Sequence, residues 1–167
     1  CGNLTSEEYV NRVNVEFQKL ALRGVTILVS SGDAGAPGRT SESCDNGMNP
    51  VLPGSSPWIT SVGATFILNN SKNTTWKSPL CQQQGCFTGS EEASISFDHV
   101  GWTAGGGFGI YGEDTPYWQK KAVQGYLNST KLPNQKFNRK GRAYPDVAAI
   151  GHACPTFSDQ TVESVGF

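Results

Sequence analysis

The chain has 167 residues, 37% of them apolar, with 13 basic and 14 acidic side chains and a formal net charge of −1. That length suffices for one core of ordinary size and is short for two. The balanced charge argues against nucleic acid as the main partner, because phosphate binding needs a basic excess, and no stretch approaches the roughly 20 apolar residues of a membrane helix.

The chain opens on Cys1-Gly2, without an initiator methionine or a visible signal peptide, which reads as a piece of something longer. Thr5 followed three residues later by Glu8 is a capping box, and Val10, Val13, Phe17 and Leu20 recur at helical spacing behind it, with Asn11, Asn14, Gln18 and Lys19 on the polar side. Gly24 closes this helix in a left-handed cap. Val25 to Ser30 then reads as a parallel strand covered on both faces, because its apolar character is nearly continuous. Residues 36 to 57 form a long loop rich in Gly, Pro, Ser and Asn. A second strand spans Trp58 to Gly63, with Ala64 to Leu68 as a continuation, and residues 69 to 90 read as a polar surface excursion. Ile95 to Asp98 reads as a short strand and Gly105-Gly106-Gly107-Phe108 as a turn. Asp114 or Thr115 caps a helix with Pro116 at its first position, running to Leu127. Residues 128 to 141 are an exposed linker, Asp146 to Gly151 a third buried strand, and Pro155 to Gly166 a hairpin. The alternation predicts an α/β fold with a mainly parallel sheet.

Five cysteines, Cys1, Cys44, Cys81, Cys86 and Cys154, leave one unpaired or paired outside the chain, and their spacing favours disulfides over a metal site. Four N-glycosylation sequons begin at Asn3, Asn69, Asn73 and Asn128. Sequons beside cysteines imply passage through the secretory or lysosomal route.

Candidates for chemistry are few. There is no Gly-x-Ser-x-Gly elbow beside His99 or His152, and no metal-ligand spacing. The glycine run at Gly105 is followed by no Lys-Ser/Thr, which rules out a P-loop. Of the paired acids, Glu7-Glu8 belongs to a helix N-terminus, while Glu91-Glu92 and Glu113-Asp114 read as solvated loops. Asp33 stands apart. It lies in Ser31-Gly32-Asp33-Ala34-Gly35, where the first strand stops, and the carboxyl ends of α/β strands are where ligands gather. By spacing alone Asp33 is equally well an Asx-turn residue. If its carboxyl is neutral it becomes a hydrogen-bond donor.

Five blocks in order carry a resemblance. They are Arg12-Val13-Asn14, Leu22 to Thr26, Ser31 to Ala36, Pro53 to Thr65 with its Ser55-Ser56-Pro57-Trp58, and Gly105 to Phe108 with Gly141 to Ala149 after it. This pattern resembles the sedolisins, the serine-carboxyl peptidases, and within them the lysosomal tripeptidyl-peptidase branch. The resemblance implies a subtilisin-like, mainly parallel sheet with flanking helices, here incomplete, so that residues 1–167 would be the central part of one peptidase domain. It implies a Ser-Glu-Asp triad, none of whose members matches a residue present, and an oxyanion-hole acid, which matches Asp33. The Glu and Asp would precede Cys1, and the Gly-Thr-Ser-Ala-Ser nucleophile block would begin near Ser164-Val165-Gly166, with Phe167 departing from the pattern. Calcium is expected through residues beyond Phe167, and no metal in the chain itself. Gly2, Ser31, Gly32, Gly105, Gly106 and Gly107 are the implied substrate-binding positions, Gly2 as the remnant of a Ser-x-Gly strand.

The resulting expectation is an acid-acting peptidase on peptide or protein substrates, lysosomal or secreted, with no nucleic acid and no membrane partner. This chain alone would be inactive and marginally stable, its strand edges lacking the remainder of the parent domain. The competing expectation is a non-catalytic, peptidase-like binding glycoprotein. An ordinary subtilase ranks below both, since it would want a catalytic His and an oxyanion Asn.

Overall fold

The computed structural model describes residues 4–39, 45, 47–68, 91–111, 114–129, 131–134, 136–152, 154–158 and 161–165. They fall into two compact units, one of Cys1–Gly63 with Ala104–Val147, the other of Ala64–Thr103 with Ala148–Phe167.

In the first unit, α1 spans Ser6–Leu22. Its capping box forms as expected: the Thr5 hydroxyl accepts from the Glu8 N–H at 3.3 Å, and the Glu8 carboxylate accepts from the Thr5 N–H at 2.8 Å. Gly24, at φ 78°, ends it by donating to the Ala21 carbonyl, with Val25 donating to that of Leu20. The Thr5 backbone N–H, and after it the Thr5 hydroxyl, hold the Glu8 carboxyl below its ordinary value of 4.5. The folded state therefore favours ionised Glu8, and that contribution is present above 4.5 and lost as pH falls through the lowered folded value. Thr5→Ala should cost about 1 kcal/mol near neutrality. In thermal melts taken from about pH 6 to about pH 3, the gap between parent and variant should narrow.

The face of α1 that the periodicity marks as polar holds its most buried residue. Asn14 is 4% exposed, and its Oδ1 accepts from the hydroxyl of Ser56, itself 1% exposed, at 2.7 Å. A buried hydroxyl needs a partner, and an asparagine on the facing helix supplies it.

Strand β1 is shorter than its apolar run, Leu28–Ser30. It pairs in parallel with the start of β2, Thr60–Leu68, with Leu28 opposite Thr60 and Ser30 opposite Val62. Trp58 and Ile59 precede β2 in a turn, and the expected continuation to Leu68 forms. The expectation of cover on both faces does not hold, since Leu28 is 67% exposed. The strand lies at the sheet edge, and none of the described residues packs over that side chain.

The glycine run is ordered rather than a plain turn. β4, Gly107–Phe108, pairs antiparallel with β5, Ala143–Tyr144. Phe108 is buried, 5.0 Å from the Phe137 ring and 6.1 Å from that of Tyr126, between centroids. The following helix starts later than its signals suggest, at Lys120, and ends at Ser129. Thr115 is diverted from capping: its N–H and hydroxyl donate to the Lys140 carbonyl, and the hydroxyl also reaches that of Gly141. Residues 128 to 141 are accordingly no free linker, since Phe137 packs on the core and Gly141 is buried.

Arg142, 3% exposed, ties this unit together. Its Nε donates to the Ser56 carbonyl at 2.9 Å and its Nη2 to that of Ile59 at 3.3 Å, and the guanidinium also meets the Ala143 carbonyl and the Asp146 carboxylate. Asp146 in turn accepts from the Ser61 N–H at 2.7 Å and from the Gln119 amide at 3.1 Å. The Tyr144 hydroxyl accepts from the Val51 N–H at 2.9 Å, and burial pushes its pKa up against the opposing pull of that N–H and of Arg142.

In the second unit, the end of β2 pairs antiparallel with β3, Glu91–Ser94, so Glu91-Glu92 is strand rather than loop. The Glu92 carboxylate accepts from the Thr65 hydroxyl at 2.5 Å. The stretch read as a strand from Ile95 is a one-turn helix, Phe97–Val100, because Ser96 is extended at its N-cap and Gly101 closes it at φ 79°. β6, Val147–Ile150, pairs with β2, but all four residues are exposed, against the expectation of a buried strand. As with β1, none of the described residues packs over Val147, 53% exposed, or Ile150, 49% exposed. The terminal hairpin forms as read, Cys154–Ser158 against Thr161–Val165.

Candidate functional site

The end of β1 and the glycine run meet. The Ser31 N–H donates to the Val62 carbonyl at 2.8 Å, which extends the ladder one residue past the strand, and the chain then turns at Gly32, φ 93°, into Asp33. Gly105 donates its N–H to the Gly32 carbonyl at 2.6 Å. A Cβ on Gly105 would overlap the Ser31 carbonyl oxygen and sit 2.8 Å from its carbon. Only glycine lets the two backbones come this close. Behind the run, Gly106 lies on the Tyr144 carbonyl and the Pro145 ring, at 3.3 and 3.5 Å from where its Cβ would be. The structure thus brings Gly105 against Ser31 and Gly32, more than seventy positions away in sequence, while Gly106 and Gly107 lie on Tyr144 and Pro145 and no contact of Asp33 with the run is seen among the described residues.

Ser31 is 2% exposed, and its hydroxyl has no partner among the described residues. The Asp33 side chain is exposed at the lip of the turn. Gly2, Asn3, Asn69 and Asn73 lie outside the described residues, as do Cys1, Cys44, Cys81 and Cys86. Asn128 is exposed in the last turn of the helix Lys120–Ser129, where a glycan would meet no steric bar on the described side. No three His, Cys, Asp or Glu residues converge on a possible ion site among the described residues. No described helix is long and apolar enough to cross a membrane.

A cleft of about 400 Å³ lies at the opposite end of β1, lined by Val25, Ile27, Trp58, Trp118 and Asp146 among others. Sequence reasoning gave no role to Arg142 and Asp146, although both fall in the Gly141 to Ala149 block. Their signal was a buried-type spacing, Arg and Asp four residues apart around an apolar Tyr-Pro. Its purpose shows only through the contacts with Ser56, Ile59 and Ser61.

Comparison with known proteins places this sheet. The chain is 41% identical over 159 residues to Physarolisin of Physarum polycephalum, covering 90% of this chain and 28% of that protein. It is 38% identical over 146 residues to Tripeptidyl-peptidase 1 of the dog and 36% identical over 148 residues to the human protein of that name, 22% of each being covered. Among solved structures it superposes on a Pseudomonas sedolisin, a serine-carboxyl proteinase complexed with pseudo-iodotyrostatin, with TM-score 0.55 and 23% identity, over 94% of this chain and 38% of that one. No protein-family model matches. The chain is a homologue of the sedolisins and has the fold of part of one. It spans about a quarter of the length of the curated relatives it matches.

Proposed function

We propose that residues 1–167 are the central part of a single sedolisin-type domain that hydrolyses peptide bonds in peptides or proteins at acid pH, in a lysosomal or secreted setting. The observation that supports this is the contact of Gly105 with Gly32 at 2.6 Å, one residue before Asp33, just past the carboxyl end of β1. Homology to a tripeptidyl-peptidase over most of the chain supports it.

In the intact domain, a serine from outside these residues attacks the substrate carbonyl carbon, and a glutamate takes its proton. The carbonyl oxygen gains the charge. Neutral Asp33 donates a hydrogen bond to that oxyanion, while Gly105 to Gly107 and the Ser31-Gly32 backbone hold the substrate main chain. An ionised carboxylate would repel the same charge, so activity falls as pH rises through the coupled carboxyl titrations of the site. Calcium, held by residues beyond Phe167, enters no step here.

The test is made in the full-length protein. Asp33→Ala should lower kcat by about a hundredfold, the loss of one oxyanion donor. Asp33→Asn keeps an N–H donor at every pH and should extend activity to higher pH than Asp33→Ala does. Hydrolysis by Asp33→Ala at the parent's rate would remove the oxyanion role. The 167-residue chain by itself should show no peptidase activity.

A further inference from the structure

Residues 131 to 142 contain Lys131, Lys136, Arg139, Lys140 and Arg142 and no carboxylate, in a chain of net charge −1. Arg142 is engaged in the buried network with Asp146. The other four cations are exposed. None has a carboxylate partner among the described residues, whose remaining ion pairs are Arg12 with Glu16 and Lys19 with Glu16.

Two of these cations, Lys136 and Arg139, line a cleft of about 640 Å³ together with Leu132, Pro133, Asn134 and Phe137. The lining thus sets apolar and cationic side chains side by side. The loop that forms it is held in place from several sides. Met48 donates its N–H to the Lys136 carbonyl at 3.1 Å, Asn138 donates its amide to the Gly109 carbonyl at 2.8 Å, and Thr115 donates to the Lys140 carbonyl. The Arg139 guanidinium lies 5.5 Å over the Phe137 ring. A binding surface ordered in advance loses little entropy on association.

We propose that this cleft docks an extended acidic peptide segment. A Leu- or Phe-sized side chain would seat on Leu132 and Pro133, and flanking carboxylates would meet Lys136 and Arg139. Leu132 and Pro133 beside the two cations favour a peptide over a sulfated sugar, which has no aliphatic group to set against them. The lining also disfavours a nucleic acid, since Phe137 has one face under Arg139 and its ring against Phe108, leaving no stacking platform. Such docking would occur whether or not the chain takes part in peptide hydrolysis.

The test is fluorescence anisotropy of the full-length protein with a labelled hexapeptide alternating glutamate with leucine or phenylalanine. Binding should saturate and weaken severalfold between about 50 and about 300 mM salt. Lys136→Glu with Arg139→Glu should weaken it at least tenfold, and the milder Lys136→Ala with Arg139→Ala severalfold, with melting curves unchanged. Lys120→Glu with Lys121→Glu, on the helix Lys120–Ser129, should leave it as in the parent. Equal binding of the glutamine-for-glutamate peptide, or binding untouched by both Lys136/Arg139 pairs, would overturn the proposal. So would equal binding of a serine-for-leucine/phenylalanine peptide or of a heparin oligosaccharide, since the surface would then be a site for polyanions in general.

Discussion

Gly105→Ala should destabilise the chain by about 3 kcal/mol, at the upper end of what overpacking costs. The added methyl would have to displace the Ser31 carbonyl, which is backbone and cannot rotate away, and would also lie 3.3 Å from the Gly32 Cα. Moving it breaks the bond from Gly105 to Gly32 and pulls on the last pairing of β1 with β2, where Ser31 donates to Val62. Gly32→Ala is the informative control. Gly32 has open space around it, so its substitution meets only the strain of φ 93°, about 1–2 kcal/mol. Urea melts of the two variants should therefore differ in midpoint, Gly105→Ala being the lower. In the full-length protein Gly105→Ala should also lose peptide hydrolysis, since the turn carrying Asp33 shifts with it. A midpoint for Gly105→Ala equal to the parent's would mean that the two backbones do not touch.

The second large effect is at Arg142. Arg142→Met keeps the apolar stem and deletes the guanidinium, which leaves the Ser56 and Ile59 carbonyls without their buried donor and the Asp146 carboxylate without its cation. Breaking a buried pair from one side costs about 3 kcal/mol or more. The Asp146 side chain retains 22% exposure, so water offsets part of that loss and the lower figure applies. Asp146→Leu alone should also destabilise, because Ser61 loses its acceptor. The double variant Arg142→Met/Asp146→Leu should be less destabilised than the sum of the two, and a denaturation cycle over the four proteins measures the coupling. Strict additivity would show the ion pair to be incidental.

What could be read from the sequence divides by the range of the interaction. The start and stop of α1 follow from Thr5, Glu8 and Gly24, whose partners lie within four residues, and the terminal hairpin follows from local alternation. The turn that carries Asp33 was legible because strand ends are marked locally by apolar run and glycine. Burial was not legible in the same way. Leu28 and Val147 look like core by composition, yet exposure depends on what packs over them, and no described element does. Thr115 and Asn14 misled for a related reason, since each has a good local use that a distant partner overrides, Lys140 in one case and Ser56 in the other. Gly105 is the sharpest instance. Nothing near it in sequence shows that its missing side chain is required by a carbonyl at Ser31.

The ties that back the glycine run and fix the start of β2 are all distant in sequence: 86 positions from Arg142 to Ser56, 85 from Ser61 to Asp146, and 93 from Val51 to Tyr144. A nascent chain leaving the ribosome therefore carries its Ser31-Gly32-Asp33 turn without its Gly105 contact until more than seventy further residues have emerged, and the residues that back Gly106 emerge only after that. The helix at the front can form at once, but the backing of the glycine run closes only when the block around Arg142 arrives. A chain halted before Arg142 would keep the contact of Gly105 with Gly32 and lack the Tyr144 and Pro145 support behind Gly106.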